Sequence, residues 1–206
     1  MSQLGVLVSG RGSNLEAIFQ AIEKGALHAR VALVVSSRAN APALGLASDR
    51  NVPTRVISPG SYESRAECGA AIEEALRAAG VEYVALAGYK PILDGSVVRA
   101  YPNRIVNIHP SLLPAFAGGM APRPQREALA RGVKLSGCTV HFVTEEVDAG
   151  PIIAQSAVPV HDDDTVESLS ERILEQEHRL LPLALELLVT GRLVVDGQLV
   201  RIPSER

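Results

Sequence analysis

Asn107 and His109 stand two residues apart in the stretch Ile105-Val106-Asn107-Ile108-His109-Pro110. Side chains alternate along an extended segment, so both face one side and Ile108 the other. An asparagine amide offers uncharged donors, and an imidazole can be charged or neutral near pH 7. Together they suit an oxyanion, which points to acyl-type transfer. Such a polar pair also serves simply to cap a loop or satisfy nearby backbone groups. Asp148 tips the balance toward chemistry. It lies in the Gly/Pro-bounded loop Thr144-Glu145-Glu146-Val147-Asp148-Ala149-Gly150-Pro151. A carboxylate beside an imidazole can orient it, keep it charged, or accept a proton.

A second constellation is the turn Ser9-Gly10-Arg11-Gly12-Ser13-Asn14. Glycines allow close backbone approach, free N–H groups at a helix start favour an anion, and Ser13 and Asn14 add side-chain donors. A dinucleotide fingerprint would continue to a third glycine, but position 15 is Leu. It would also want an acid after the second strand, where the chain has Ser36-Ser37-Arg38, and no Gly-Lys-Ser/Thr follows to make a P-loop. A nicotinamide cofactor is therefore disfavoured and a single phosphate fits better. A tight strand–helix turn with no ligand explains this motif equally well. Metal chemistry is not expected, because His28, His109, His141, His161 and His178 form no HxxxH or HxH pair and Cys68 and Cys138 no CxxC. No serine sits in a GxSxG elbow, which disfavours a serine hydrolase.

The elements that must hold these groups alternate. Strands are expected at Leu4–Val8, Arg30–Ser36, Thr54–Ile57, Val84–Ala87 and Arg104–Asn107. Helices are expected at Leu15–Lys24, Pro42–Asp49 and about Glu63–Ala79. Such alternation argues an α/β protein with a doubly wound parallel sheet, whose ligands bind beyond the strands' carboxyl ends. After His109 the pattern changes to a Pro/Gly-rich stretch from Pro114 to Pro124 and a helix near Gln125–Arg131. Strand-like runs at Cys138–Thr144 and Pro151–Val160, a long helix at Val166–Leu188, and a hairpin about Asp196-Gly197 follow. This half reads as a mixed-sheet extension of the same domain. With only 3% aromatic residues and no Trp, the core must rest on Val, Ile, Leu and Ala. The net charge of −3 gives no general attraction for nucleic acid or anionic membranes. Two distant cysteines and no leader-like start read as a cytoplasmic protein with reduced thiols.

Four segments carry a resemblance that covers nearly the whole chain. They are Ser9-Gly10-Arg11-Gly12-Ser13-Asn14-Leu15, Leu86-Ala87-Gly88-Tyr89-Lys90-Pro91-Ile92-Leu93, Asn107-Ile108-His109-Pro110-Ser111-Leu112-Leu113-Pro114 and the run from His141 to Pro151, with Gln176-Glu177-His178 added. In that order they resemble the formyltransferases that use 10-formyltetrahydrofolate, most closely the branch acting on glycinamide ribonucleotide in purine synthesis. The resemblance implies a single domain over 1–206 with a Rossmann-like, mostly parallel sheet. About 1–100 would be the phosphate-binding half, and about 101–206 the catalytic and folate-binding half. It implies that Asn107, His109 and Asp148 are catalytic, with a protonated His109 kept charged by Asp148. Gly12, Ser13 and Asn14 would hold the ribose phosphate, Glu177 would contact the acceptor amine, and Arg65 with Lys90, Pro91, Ile92, Leu93 and Asn107 would line the folate site. The partners implied are two small molecules, the reduced folate as co-substrate and the phosphorylated amine, with no metal; a homodimer is compatible with the sequence.

The chain departs from the family at Lys90-Pro91, where Met-Arg or Met-Lys is usual, and at Phe116 to Pro124, which is longer and places Met120 near the usual His. A tRNA-directed formyltransferase is expected to extend beyond Arg206 with a basic surface, and a formyltetrahydrofolate deformylase to carry a regulatory domain ahead of Leu4. Against these enzymes stands a non-catalytic phosphate-binding module. The segment from Ala115 to Pro124 follows directly on the catalytic strand, and Gly118-Gly119 gives it backbone freedom, so it is expected to act as a lid.

Overall fold

The computed structural model describes residues 1–203. The first strand shows how this sequence builds its layers. In β1 (Ser2–Val8), Leu4, Val6 and Val8 point into one core cluster and Leu7 into the other, as a period of two requires when both faces are covered. Gly5 has a packing reason: a Cβ there would come within 2.6 Å of the Leu76 side chain. Then follow α1 (Ser13–Glu23), β2 (Ala29–Ser36), α2 (Ala43–Ser48), β3 (Thr54–Val56) and α3 (Arg65–Ala78). β4 (Tyr83–Leu86), α4 (Gly95–Ala100) and β5 (Ile105–His109) complete the parallel part. The second part comprises α5 (Arg123–Ala130), β6 (Leu135–Phe142), β7 (Ile152–Pro159), α6 (Val166–Val189) and the hairpin β8 (Val194–Asp196) and β9 (Leu199–Arg201).

Seven strands form one sheet in the order β3-β2-β1-β4-β5-β6-β7. β1 to β5 are parallel, and β6 and β7 join antiparallel. This is the expected α/β architecture with its mixed extension, and the sheet runs unbroken through both halves of the chain. One face buries Leu15, Ile18 and Ala43 of α1 and α2 with Leu169, Ile173 and Leu181 of α6. The other buries Cys68, Ile72 and Leu76 of α3 with Val97 of α4. Local signals fix the helix starts. Ser64 caps α3 by accepting from the Glu67 N–H, and Thr165 with Ser168 forms a capping box at α6.

The order reverses between β1 and β4, since β2 and β3 lie on one side and β5 on the other. The chain leaves β1 for the α1 face and leaves β4 for the α4 face, so a crevice opens beyond their carboxyl ends. Differences from expectation are local. Helix α4 is an addition to the expected elements; it is six residues long, starts with Gly-Ser-Val-Val, and is held by Asp94 accepting from the Ser96 N–H. β5 runs on to His109, β6 begins three residues before Cys138, and β8 extends through Asp196, so the hairpin turn is Gly197-Gln198.

Candidate active site

Asn107 and His109 come from the last turn of pleat in β5, beside the antiparallel β6, whose register places His141 opposite Asn107 and Thr139 opposite His109. His141 Nδ1 lies 2.9 Å from its neighbour Phe142's carbonyl oxygen and so carries the hydrogen. Nε2 lies 3.2 Å from the Asn107 amide nitrogen and 3.6 Å from an Asp148 oxygen, so it accepts from the amide when the ring is neutral and donates to the carboxylate when the ring is charged. Asn107 thus commits at most one amide hydrogen to His141 and keeps the other for a ligand. Thr139 holds the strand exit: its hydroxyl donates to the Ser111 carbonyl and accepts from the Leu113 N–H and the Gln155 amide.

Asp148 reaches the same place from the β6–β7 connection, in a left-handed conformation with φ of 55°. One carboxylate oxygen accepts from the Gly118 N–H at 2.8 Å and lies 3.3 Å from His109 Nδ1; the other is 3.6 Å from His141 Nε2. Burial pushes its pKa up, but the contacts with His141, His109 and Gly118 outweigh that and hold it below the usual carboxylate range. Asp148 is therefore ionised at neutral pH.

His109 is 3% exposed. Burial lowers its pKa, Asp148 and the Phe116 carbonyl raise it, and burial prevails. This corrects the expectation that Asp148 keeps His109 charged: in the site as it stands the ring is neutral at pH 7, because lost solvation exceeds the pull of one carboxylate. Yet both ring nitrogens face acceptors at 3.3 Å, Asp148 at Nδ1 and the Phe116 carbonyl at Nε2. Either neutral tautomer satisfies one of them and only the imidazolium satisfies both. The ring is thus placed to take up a proton when charge develops beside it.

A cavity of about 240 Å³ joins these groups. Its wall includes Asn14, Lys90, Pro91, Ile92, Leu93, Asn107, His109, Asp148 and Glu177, together with His141, Met120 and the rim residues Thr144 to Val147. Glu177, on α6, is 8% exposed. The hydrogen bond it accepts from the Asn14 amide at 2.8 Å only partly offsets the burial that raises its pKa to about 7. Asn14 Oδ1 is buried and has no hydrogen-bond partner among the described residues. One Asn14 amide hydrogen is thus spent on Glu177, so a phosphate at this turn would rely chiefly on backbone N–H groups at the start of α1.

Three expected residues stand outside the cavity wall. Gly12 has φ of 84° and packs against α2, where a Cβ would meet the Ala43 Cβ at 2.7 Å. Ser13 faces a separate groove between α1 and α6. Arg65 borders an adjoining depression that shares Pro91, Ile92 and Leu93 with the cavity, and its guanidinium lies 3.5 Å from Asp94. His141 lies in one of the motifs, yet local order assigns it no role. Its position opposite Asn107 in an antiparallel pair is a tertiary fact that spacing does not carry. Cys138 is buried with its thiol pushed up to about 12, and burial raises Cys68 too, so neither is a ready nucleophile. Among the described residues no three His, Cys, Asp or Glu side chains gather into a metal site, and no helix is long and apolar enough to cross a membrane.

Residues 3–185 match the family described as formyl transferase. The chain is 51% identical to a glycinamide ribonucleotide transformylase 1 from Symbiobacterium toebii, whose crystal structure superposes with a TM-score of 0.95 over 99% of this chain and 95% of that one. It is 41% identical to the phosphoribosylglycinamide formyltransferase of Bacillus subtilis, over 88% of this chain and 92% of the relative. It is also 48% identical, over 94% of its own length, to the trifunctional purine biosynthetic protein adenosine-3 of Gallus gallus. There the chain spans about a fifth of the relative, 19% of its length. A family match over most of the sequence, near full-length relatives and the same sheet place the chain in the formyl transferase family.

Proposed function

We propose that the chain transfers the formyl group of 10-formyltetrahydrofolate to the amine of glycinamide ribonucleotide, a step of de novo purine synthesis. The carrying observation is that Asn107, His109 and Asp148 meet in one cavity at the sheet's switch point, with the buried Glu177 in the same wall. The names of the full-length relatives point to the same reaction. In this reading both halves of the chain supply walls. The first hundred residues give the phosphate turn and the Lys90–Leu93 edge of the folate pocket, and the remainder gives the catalytic groups. Two buried, unpaired cysteines fit a reducing, cytoplasmic setting.

The acceptor nitrogen, neutral when it attacks, bonds to the formyl carbon and the carbonyl pair moves to oxygen. The free Asn107 amide hydrogen meets that oxyanion. His109, whose Nδ1 lies 3.3 Å from ionised Asp148, takes the proton of the attacking nitrogen. It becomes the imidazolium that both stabilises the oxyanion and returns the proton to the folate nitrogen as the old C–N bond breaks. Each preorganised donor typically lowers such a barrier by about 3 kcal/mol, and alignment of the two substrates supplies the rest. Glu177, with a pKa of about 7, meets the acceptor amine and can take its ammonium proton near neutral pH.

An acceptor series tests this. Glycinamide ribonucleotide should turn over, and its riboside without phosphate should lose roughly a hundredfold or more in kcat/KM, the scale of a phosphate's charge-assisted hydrogen bonds. Equal rates with the riboside, or with unrelated amines, would overturn the substrate assignment.

A further inference from the structure

Across the crevice between β1 and β4 runs a chain of hydroxyls. The Ser9 hydroxyl, at the first residue past β1, accepts a hydrogen bond from the backbone N–H of Lys90 at 2.8 Å. It also lies 2.6 Å from the Ser37 hydroxyl, and the Ser37 N–H donates to the carbonyl of Val8 at 3.1 Å. Ser9 is 1% exposed and Ser37 7%. One hydroxyl therefore ties together the segments leaving β1, β2 and β4, at the place where the sheet's topology drives two of them apart.

The tie matters most for the segment after β4. Residues 88 to 93 form one wall of the cavity, but the backbone bonding of β4 to β1 ends at Ala87, whose N–H donates to the Leu7 carbonyl. Among the described residues the Lys90 N–H gives the one recorded hydrogen bond from the backbone of 88 to 93. Pro91 has no N–H to give. Gly88, at φ of 76° where the wall begins, leaves the backbone free to swing. Ser9 is not itself in the cavity wall, so it acts on a ligand only through what it holds.

We propose that Ser9 is the positioning residue of the folate-side wall, setting Lys90–Leu93 in register with the glycine turn that faces the other substrate. The proposal rests on the functional reading above for the identity of the ligand on that wall. Loss of the hydroxyl leaves the Lys90 N–H and the Ser37 hydroxyl without their partner, a change worth about a factor of ten in an equilibrium constant.

The test compares wild type with Ser9→Ala, Ser9→Thr and Ser37→Ala. In Ser9→Ala the KM for 10-formyltetrahydrofolate should rise about ten-fold, while kcat and the KM for glycinamide ribonucleotide stay within about two-fold. Ser9→Thr, which keeps the hydroxyl, should restore the folate KM, and Ser37→Ala, which leaves the Lys90 bond intact, should change it little. Hydrogen exchange on the substrate-free proteins should be faster over residues 88 to 93 in Ser9→Ala than in wild type. Equal rises in both KM values, or unchanged exchange over 88 to 93, would overturn the proposal. If wild type itself does not turn over these substrates, the functional reading fails, and the exchange measurement alone still decides whether Ser9 holds the wall.

Discussion

Glu177→Gln should make the protein more stable and less active, and the stability gain should depend on pH. The carboxyl is 8% exposed and accepts a hydrogen bond from Asn14. Burial raises its pKa from 4.5 to about 7. In the unfolded chain the group ionises near 4.5, but in the fold it stays protonated until about 7. Between these values the native state binds the extra proton, so its contribution to stability is fully present below 4.5 and is lost as pH rises through 7. A gap of about 2.5 pH units at 1.36 kcal/mol each gives roughly 3 kcal/mol as an upper bound. Glutamine keeps the shape and an oxygen for the Asn14 amide but does not titrate. Thermal or urea unfolding of both proteins from pH 4.5 to 8 isolates the effect, since every other titrating group is common to the two. The curves should nearly coincide at pH 4.5. By pH 8 they should separate by up to about 3 kcal/mol, or roughly 6–12 °C in Tm for a domain of this size. Parallel curves with no pH-dependent difference would refute the view that Glu177 is held in the cavity at a cost in stability.

Asp148→Asn should cut kcat by roughly 10²–10⁴-fold with an unchanged circular dichroism spectrum. The amide accepts the left-handed φ of 55° but sets a donor against the Gly118 N–H or His109; wild-type kcat would contradict the proton relay. Gly12→Val should raise the KM for glycinamide ribonucleotide far more than that for the folate, since its Cβ falls 2.7 Å from the Ala43 Cβ at φ of 84°. Equal rises in steady-state KM values would argue against a phosphate at that turn. For the segment from Ala115 to Pro124, held to the catalytic groups through the Phe116 carbonyl and the Gly118 N–H, hydrogen exchange should be fast in the empty protein and slowed when both ligands are present. High protection that ligands leave unchanged would make it plain scaffold.

What was legible in the sequence was whatever depends on local order. Aliphatic runs alternating with helical segments located the main elements, and two residues of spacing put Asn107 and His109 on one side of a strand. Six-residue α4 escaped because a helix that buries only Val97 leaves no periodic trace. His141 escaped because its meaning lies in the pairing of β5 with β6, and Ser9 because its partners are 28 and 81 residues away. The protonation of His109 was misjudged for a related reason. Sequence shows that an acid and an imidazole are available, but the balance between them is set by how completely the fold removes water.

The central claim is that the formyl carbon passes to an amine rather than to water. Following a ¹³C-labelled formyl group by NMR, from 10-formyltetrahydrofolate in the presence of glycinamide ribonucleotide, tests it most directly. The label should appear in the formamide of the phosphorylated product, at a rate that vanishes when the amine is omitted. Label released as formate, at the same rate with or without the amine, would contradict it.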